Sequence, residues 1–208
     1  MNYINDGFGY DLDKALKKGN FFEKVFHHSR LNFWLKVCDY SNKKVLDVGC
    51  NTGILLIPLL DKGIDVVGID VSREDIIKAK QKLKRLGYST DKALVADAKK
   101  LPFKDNLFEI VLLSDVLEHV SNPKQAADEA LRVTKKSGLI LVTVPNDWHP
   151  VVKFSWVRKL LSGRDTVNEF PDVPFNSQKL IKLFPKAKVV KKSLIGFGSE
   201  IFCTFKKI

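Results

Sequence analysis

The sequence predicts an α/β protein, a three-layer αβα sandwich on an open, mostly parallel sheet. Two observations carry that prediction. Short apolar runs alternate with helical patterns from Lys44 to Val144, the rhythm of parallel strands joined by right-handed crossovers. The first run, KVLDVGCNTG from Lys44 to Gly53, passes from a buried strand (Val45, Leu46, Val48) through a glycine turn into a helix opening at Ile54-Leu55-Leu56-Ile57. Such a turn lets backbone N–H groups face a nucleotide closely. Asp47 is the odd residue there: a carboxylate in an apolar strand needs a charged or hydrogen-bonding partner, and a ligand carrying an ammonium group would supply one.

Taken in order, Asp11 to about Lys18 reads as a short polar helix ended by Gly19-Asn20. A second helical pattern places Phe22, Val25, Phe26, Leu31, Phe33, Trp34, Leu35 and Val37 on an apolar face until Ser41-Asn42 breaks it. It either caps the ligand cleft or packs on the sheet edge. After the opening helix, Gly63 marks a turn and Asp65–Asp70 forms the second strand, ending in an acid. Ser72 caps a helix that runs to Gly87. The third strand is Lys92–Ala96, followed by Asp97-Ala98 in a loop, and the fourth is Phe108–Leu113, running into SDVLEHV. Pro123 starts a helix that stops near Gly138, and Leu139–Val144 is the fifth strand.

From Pro145 to Pro185 the alternation breaks, with helical runs at Val152–Leu161 and Ser177–Phe184. This stretch holds Trp148, His149, Trp156, Phe170 and Phe175 and lies where loops beyond the strand ends bind ligands. The chain then closes with two strands, Ala187–Leu194 and Glu200–Phe205, joined by Gly196-Phe197-Gly198-Ser199; a hairpin makes the last strand antiparallel. One domain over residues 1–208 follows, with an N-terminal helical cap (1–42) and a substrate-lid insertion (145–186).

With 45% hydrophobic and 28% charged residues, the composition is that of an ordinary globular domain. Cys38, Cys50 and Cys203 show no metal or redox spacing. No run reaches membrane-spanning length, and the N-terminal residues lack the apolar core of a signal peptide; a cytoplasmic protein with no transmembrane segment is expected. The net charge of +11 leaves open an anionic small-molecule acceptor or a nucleic-acid partner. The excess is mostly lysine, however, and lysine spread over helix faces reads as a solvated surface.

VLDVGCNTG, GIDVS, ADAKKLPF and FEIVLLSDVLEHV, four motifs in order at successive strand ends, together resemble the class I SAM-dependent methyltransferases. The resemblance implies a Rossmann-like seven-stranded sheet with an antiparallel last strand, and S-adenosylmethionine as cofactor with S-adenosylhomocysteine as product. It implies that Asp47, Gly49 and Gly53 face the methionine part, with Asn51 standing where the family has its middle glycine. Asparagine tolerates the positive φ that this position requires. It further implies that Asp70 holds the ribose hydroxyls with Val71 against the adenine, that Asp97 and Ala98 meet the adenine amine and ring, and that Ser114 lines the methionyl end. A nicotinamide cofactor is the neighbouring reading, against which the turn is not G-x-G-x-x-G and Asp47 sits badly beside a pyrophosphate.

Methyl transfer from a sulfonium is an in-line displacement that needs alignment and water exclusion more than a fixed catalytic residue. His119 is the leading candidate for a base, which an oxygen nucleophile of high pKa would require. Asp115, Glu118 and His119, at i, i+3 and i+4, could instead share a helical face and hold a divalent cation, a spacing similar to that of the small-RNA 3′-terminal 2′-O-methyltransferases and related to a pattern in ubiquinone-pathway O-methyltransferases. Alternatively, His119 is satisfied by a backbone partner. His149 beside Trp148 is a second candidate for substrate contact, and His27 and His28 a third. The expected function is methyl transfer to a small molecule, at oxygen; RNA methyltransferase and non-catalytic SAM-binding protein are the alternatives, the former favoured by charge but lacking interleaved arginine and aromatic residues.

Overall fold

Apolar runs bounded by glycine turns make the strands, and amphipathic runs make the helices that cover them. A computed structural model describes residues 21–149 and 175–208; the expected helix at 11–18, the run at 152–161, Trp156 and Phe170 lie outside them. The described elements are α1 (Phe21–Trp34), β1 (Lys44–Val48), α2 (Leu56–Asp61), β2 (Asp65–Asp70), α3 (Arg73–Arg85), β3 (Ala93–Val95), β4 (Phe108–Ser114), α4 (Pro123–Val133), β5 (Thr134–Pro145), α5 (Ser177–Lys182), β6 (Ala187–Ile195) and β7 (Glu200–Lys207).

The seven strands form one sheet in the order β3-β2-β1-β4-β5-β7-β6. β1 to β5 pair in parallel, while β7 is antiparallel to both β5 and β6, as the terminal hairpin requires. Each face carries its own core. On one, α4 and α5 pack Ala127, Leu131 and Leu180 against Leu46, Val111 and Phe205. On the other, α1, α2 and α3 pack Trp34, Leu59 and Ile76 against Val45, Leu112 and Phe202. The strand order reverses between β1 and β4, which opens a crevice beyond their carboxyl ends.

Several boundaries differ from the sequence expectation. The first crossover helix begins at Leu56 rather than Ile54, because residues 51–55 are spent on turns. The third strand is only Ala93–Val95, since a 3₁₀ turn takes up Thr90–Lys92. α4 starts at Pro123, with Asn122 capping Gln125 N–H, but ends at Val133 and not near Gly138. There Thr134 turns extended, its hydroxyl donates to the Ala130 carbonyl at 2.6 Å, and Thr134 pairs with Phe108, so β5 begins five residues early with a register irregularity. The C-terminal part of the expected lid is core instead: Phe175, Leu180 and Phe184 are buried, and Phe184 stacks on Phe205 with centroids 4.3 Å apart. α5 ends at Lys182, ahead of Phe184. α1 ends at Trp34, and its C-terminal end packs on the sheet: Phe33 and Trp34 meet Phe202 edge-on. Among the described residues no helix is long and apolar enough to cross a membrane.

Candidate active site

The loop after β1 is fixed from three sides. The Ile69 carbonyl accepts from both Gly49 N–H (2.8 Å) and Cys50 N–H (2.9 Å), tying the turn to the end of β2. Asn51 takes φ 48°, the left-handed conformation expected of it, and its side-chain oxygen accepts from Thr52 N–H at 2.7 Å. From α3, Lys82 donates to the Thr52 carbonyl at 3.0 Å and to its hydroxyl at 2.9 Å. Gly49 stands at φ 74°, and a Cβ there would come 2.5 Å from Val116 Cγ2. The segment after β4 therefore lies directly on the first turn.

Two acids line this turn. Asp70, at the end of β2, accepts Asn51 N–H and Ser72 N–H, both at 2.9 Å, one on each oxygen. Each carboxylate oxygen retains acceptor capacity. Its pKa is raised by burial, against the pull of those N–H groups. Asp47 is 2% exposed, and among the described residues its Oδ2 has no hydrogen-bond partner. Burial first, and the Asp70 charge second, push it up to about 7. A buried carboxylate in this state favours a cation beside it. Val71, next to Asp70, is 51% exposed, an apolar surface at the mouth of the crevice. Asp97 accepts Lys99 N–H at 2.8 Å, Ala98 is partly buried against the core, and Ser114 ends β4 opposite Thr143. The residues expected around a nucleotide thus lie at the ends of β1, β2, β3 and β4, on one edge of the sheet.

The helical face that would have joined Asp115, Glu118 and His119 is not formed. Asp115 takes φ 52° and Leu117–His119 is a single 3₁₀ turn, so no α-helical face carries the three. Glu118 is fully buried whereas His119 is exposed, and among the described residues no group of three His, Cys, Asp or Glu side chains is arranged to hold a metal ion. Glu118 meets instead the charges of Asp115, Glu200 and Arg30. Arg30, from α1, ion-pairs with Asp115 and with Glu200, the latter Nε to Oε1 at 2.9 Å, and Thr143 donates its hydroxyl to Asp115 at 2.9 Å. Arg30 and Glu200 were not legible as site residues. Glu200 had a signal, an acid heading the apolar run IFCTF; Arg30, within an amphipathic helix, had none. Trp148 is 77% exposed, and His149 lies near Gly198, its Cδ2 3.6 Å from where a Cβ would stand. His28 is exposed.

Residues 46–142 match the family described as "Methyltransferase domain". The demethylmenaquinone methyltransferase of Renibacterium salmoninarum is 38% identical over 100 residues, 48% of this chain and 40% of its own length. Over residues 46–142 this chain is similar to the class I SAM-dependent methyltransferases. The ubiquinone biosynthesis O-methyltransferase of an Azoarcus species is 30% identical over 109 residues, 52% of this chain and 47% of its own. The chain therefore spans less than half the length of these two relatives. A crystal structure of a Pyrococcus horikoshii protein superposes with a TM-score of 0.70 at 22% identity, over 88% of this chain and 92% of its own, which shows the shared fold. The family implies S-adenosylmethionine as methyl donor, and the site fits it: the Oδ2 of Asp47, buried and without a hydrogen-bond partner among the described residues, suits an ammonium group.

Proposed function

We propose that this protein transfers the methyl group of S-adenosylmethionine to a small-molecule acceptor, at oxygen. The buried carboxylate of Asp47 near the end of β1, whose Oδ2 has no hydrogen-bond partner among the described residues, carries the reading, since a nucleotide pyrophosphate would be repelled there and an α-ammonium group would be held. The names of the relatives, O-methylation among them, support a small acceptor. In this reading Asp47 holds the ammonium of the methionine part, with Gly49, Asn51 and Gly53 shaping the loop around it. Asp70 accepts the ribose hydroxyls, Val71 covers one face of the adenine, Asp97 and Ala98 meet its amine and ring edge, and Ser114 lines the methionyl end. When bound, the donor supplies an already activated methyl on sulfonium; the chain's residues orient it and exclude water. The free cysteines, Cys50 and Cys203 buried, support a reducing, cytoplasmic setting.

Calorimetric titration with S-adenosylhomocysteine and, separately, with NADH tests the donor site. S-adenosylhomocysteine should bind, and Asp70→Ala should weaken it at least tenfold, about 1.4 kcal/mol. Binding of NADH alone, or of neither, would sink the reading. Transfer of a labelled methyl group into a small-molecule extract then separates an enzyme from a SAM-binding protein that yields no product.

A further inference from the structure

Asp115, Glu118 and Glu200 come from three places in the chain and meet around one guanidinium. Arg30 satisfies Asp115 and one oxygen of Glu200. Among the described residues, Glu200 Oε2 and both oxygens of Glu118 are buried with no hydrogen-bond partner, in side chains that belong to residues 5% and 0% exposed. Among the described residues, three carboxylates meet one fixed cation, an arrangement that burial penalises. Thr143 does not relieve it, as its hydroxyl is committed to Asp115.

The cluster adjoins the proposed donor site. Val116, between Asp115 and Glu118, is the residue that lies on Gly49. Register also places Asp47, Thr143 and Glu200 on the same face of the sheet, the one covered by α1: Asp47 stands two residues from Val45, Glu200 from Phe202 and Thr143 from Leu141, and those three belong to that face's core. A ligand in the cluster would therefore sit beside the methionyl end of the donor.

We propose that the Asp115–Glu118–Glu200 cluster is an acceptor-recognition site, and that the acceptor carries a protonated amine alongside the atom to be methylated. This rests on the methyl-transfer reading of the neighbouring turn. An ammonium group brings one positive charge and three N–H donors, which answers three unpartnered carboxylate oxygens. A neutral acceptor leaves those oxygens without a charge to meet them, and a carboxylate or phosphate acceptor adds a fourth anion to the cluster. The overall charge of +11 thus says little about the acceptor, because the local field at this place is set by acids.

The test uses the full chain saturated with S-adenosylhomocysteine, so that Asp47 is already engaged, and three isosteric probes: n-butylammonium, n-butanol and butyrate. Affinities are read by amide chemical-shift titration. The ammonium should bind at least tenfold tighter than the alcohol, with shifts at residues 115–118 and 200, and butyrate should not bind there. Glu118→Gln and Glu200→Gln, each first shown to bind S-adenosylhomocysteine as the native chain does, should bring the ammonium down to the level of the alcohol. An ammonium that binds no better than butanol, or binds elsewhere, overturns the proposal; so does binding that survives both substitutions. Should either variant fail to fold, the ranking of the three probes on the native chain decides. Failure of S-adenosylhomocysteine itself to bind would strike the donor reading, which is a separate outcome.

Discussion

Val116 sits on Gly49 so closely that a single added carbon would come 2.5 Å from its Cγ2. The turn after β1 and the segment after β4 are thereby locked together at the point where the strand order reverses. Gly49→Ala meets both this contact and a φ of 74°, and should cost about 1–3 kcal/mol of folding stability in urea unfolding. S-adenosylhomocysteine affinity should fall at least tenfold. Val116→Ala in the same chain should restore part of the loss, since it removes the collision and leaves the backbone strain. No recovery in the double variant would mean that conformation alone governs the position.

Asn51 replaces a glycine-like turn residue with one that also bonds. Its φ of 48° predicts that Asn51→Gly is tolerated, with donor affinity within about threefold of native. Asn51→Val should lose about 1–2 kcal/mol of stability, because a β-branched residue is penalised in the left-handed region, and it also removes the acceptor for Thr52 N–H. Calorimetry and denaturant melts of the two variants check this; equal behaviour of glycine and valine would show that φ does not constrain the loop.

Where local chemistry sets structure, the sequence was readable. The strands and their order of appearance followed from apolar runs, the cap at Ser72 and the helix start at Pro123 from residue type, and the acids Asp47 and Asp70 from standing at the ends of apolar strands. TKKSG before Leu139 could not be read, because whether it continues a helix or begins a strand depends on Phe108 pairing with Thr134. The direction of Glu118 was equally hidden. A helical spacing rule put it beside His119, whereas a positive φ at Asp115 and a 3₁₀ turn bury one and expose the other. Arg30 acquires its partners only when α1 is laid on the sheet.

The segment between α5 and β6 is fixed by an aromatic pair. Phe184, 1% exposed, stacks on Phe205 at 4.3 Å and anchors the end of α5 over β7. Phe184→Ala should destabilise by about 3–5 kcal/mol, read as a lower urea midpoint with unchanged slope. A loss below about 1 kcal/mol would mean that the surrounding side chains close the space.

Asp47 predicts two pH dependences of opposite sign. Its carboxyl is pushed up to about 7 by burial and the nearby Asp70 charge, while in the unfolded chain it titrates near ~4. Between those values the folded form holds a proton that the unfolded form has released. Stability of the ligand-free protein from this group is therefore full below about 4 and declines toward 7, by up to about 1.4 kcal/mol per pH unit. Glu200, raised to about 8 by burial and the Asp115 charge against the pull of Arg30, adds a decline of the same sign. Donor binding runs the other way: an ammonium group prefers the ionised carboxylate, so affinity for S-adenosylhomocysteine should rise from pH 5.5 toward 7.5 by about tenfold per unit at most and then level. Asp47→Asn keeps the shape and cannot ionise, so it should flatten the binding profile across that range and remove Asp47's share of the stability slope. Urea melts and titrations at pH 5.5, 6.5 and 7.5 on both chains measure the two slopes; a binding profile that keeps its rise in Asp47→Asn would assign the ammonium to another acid.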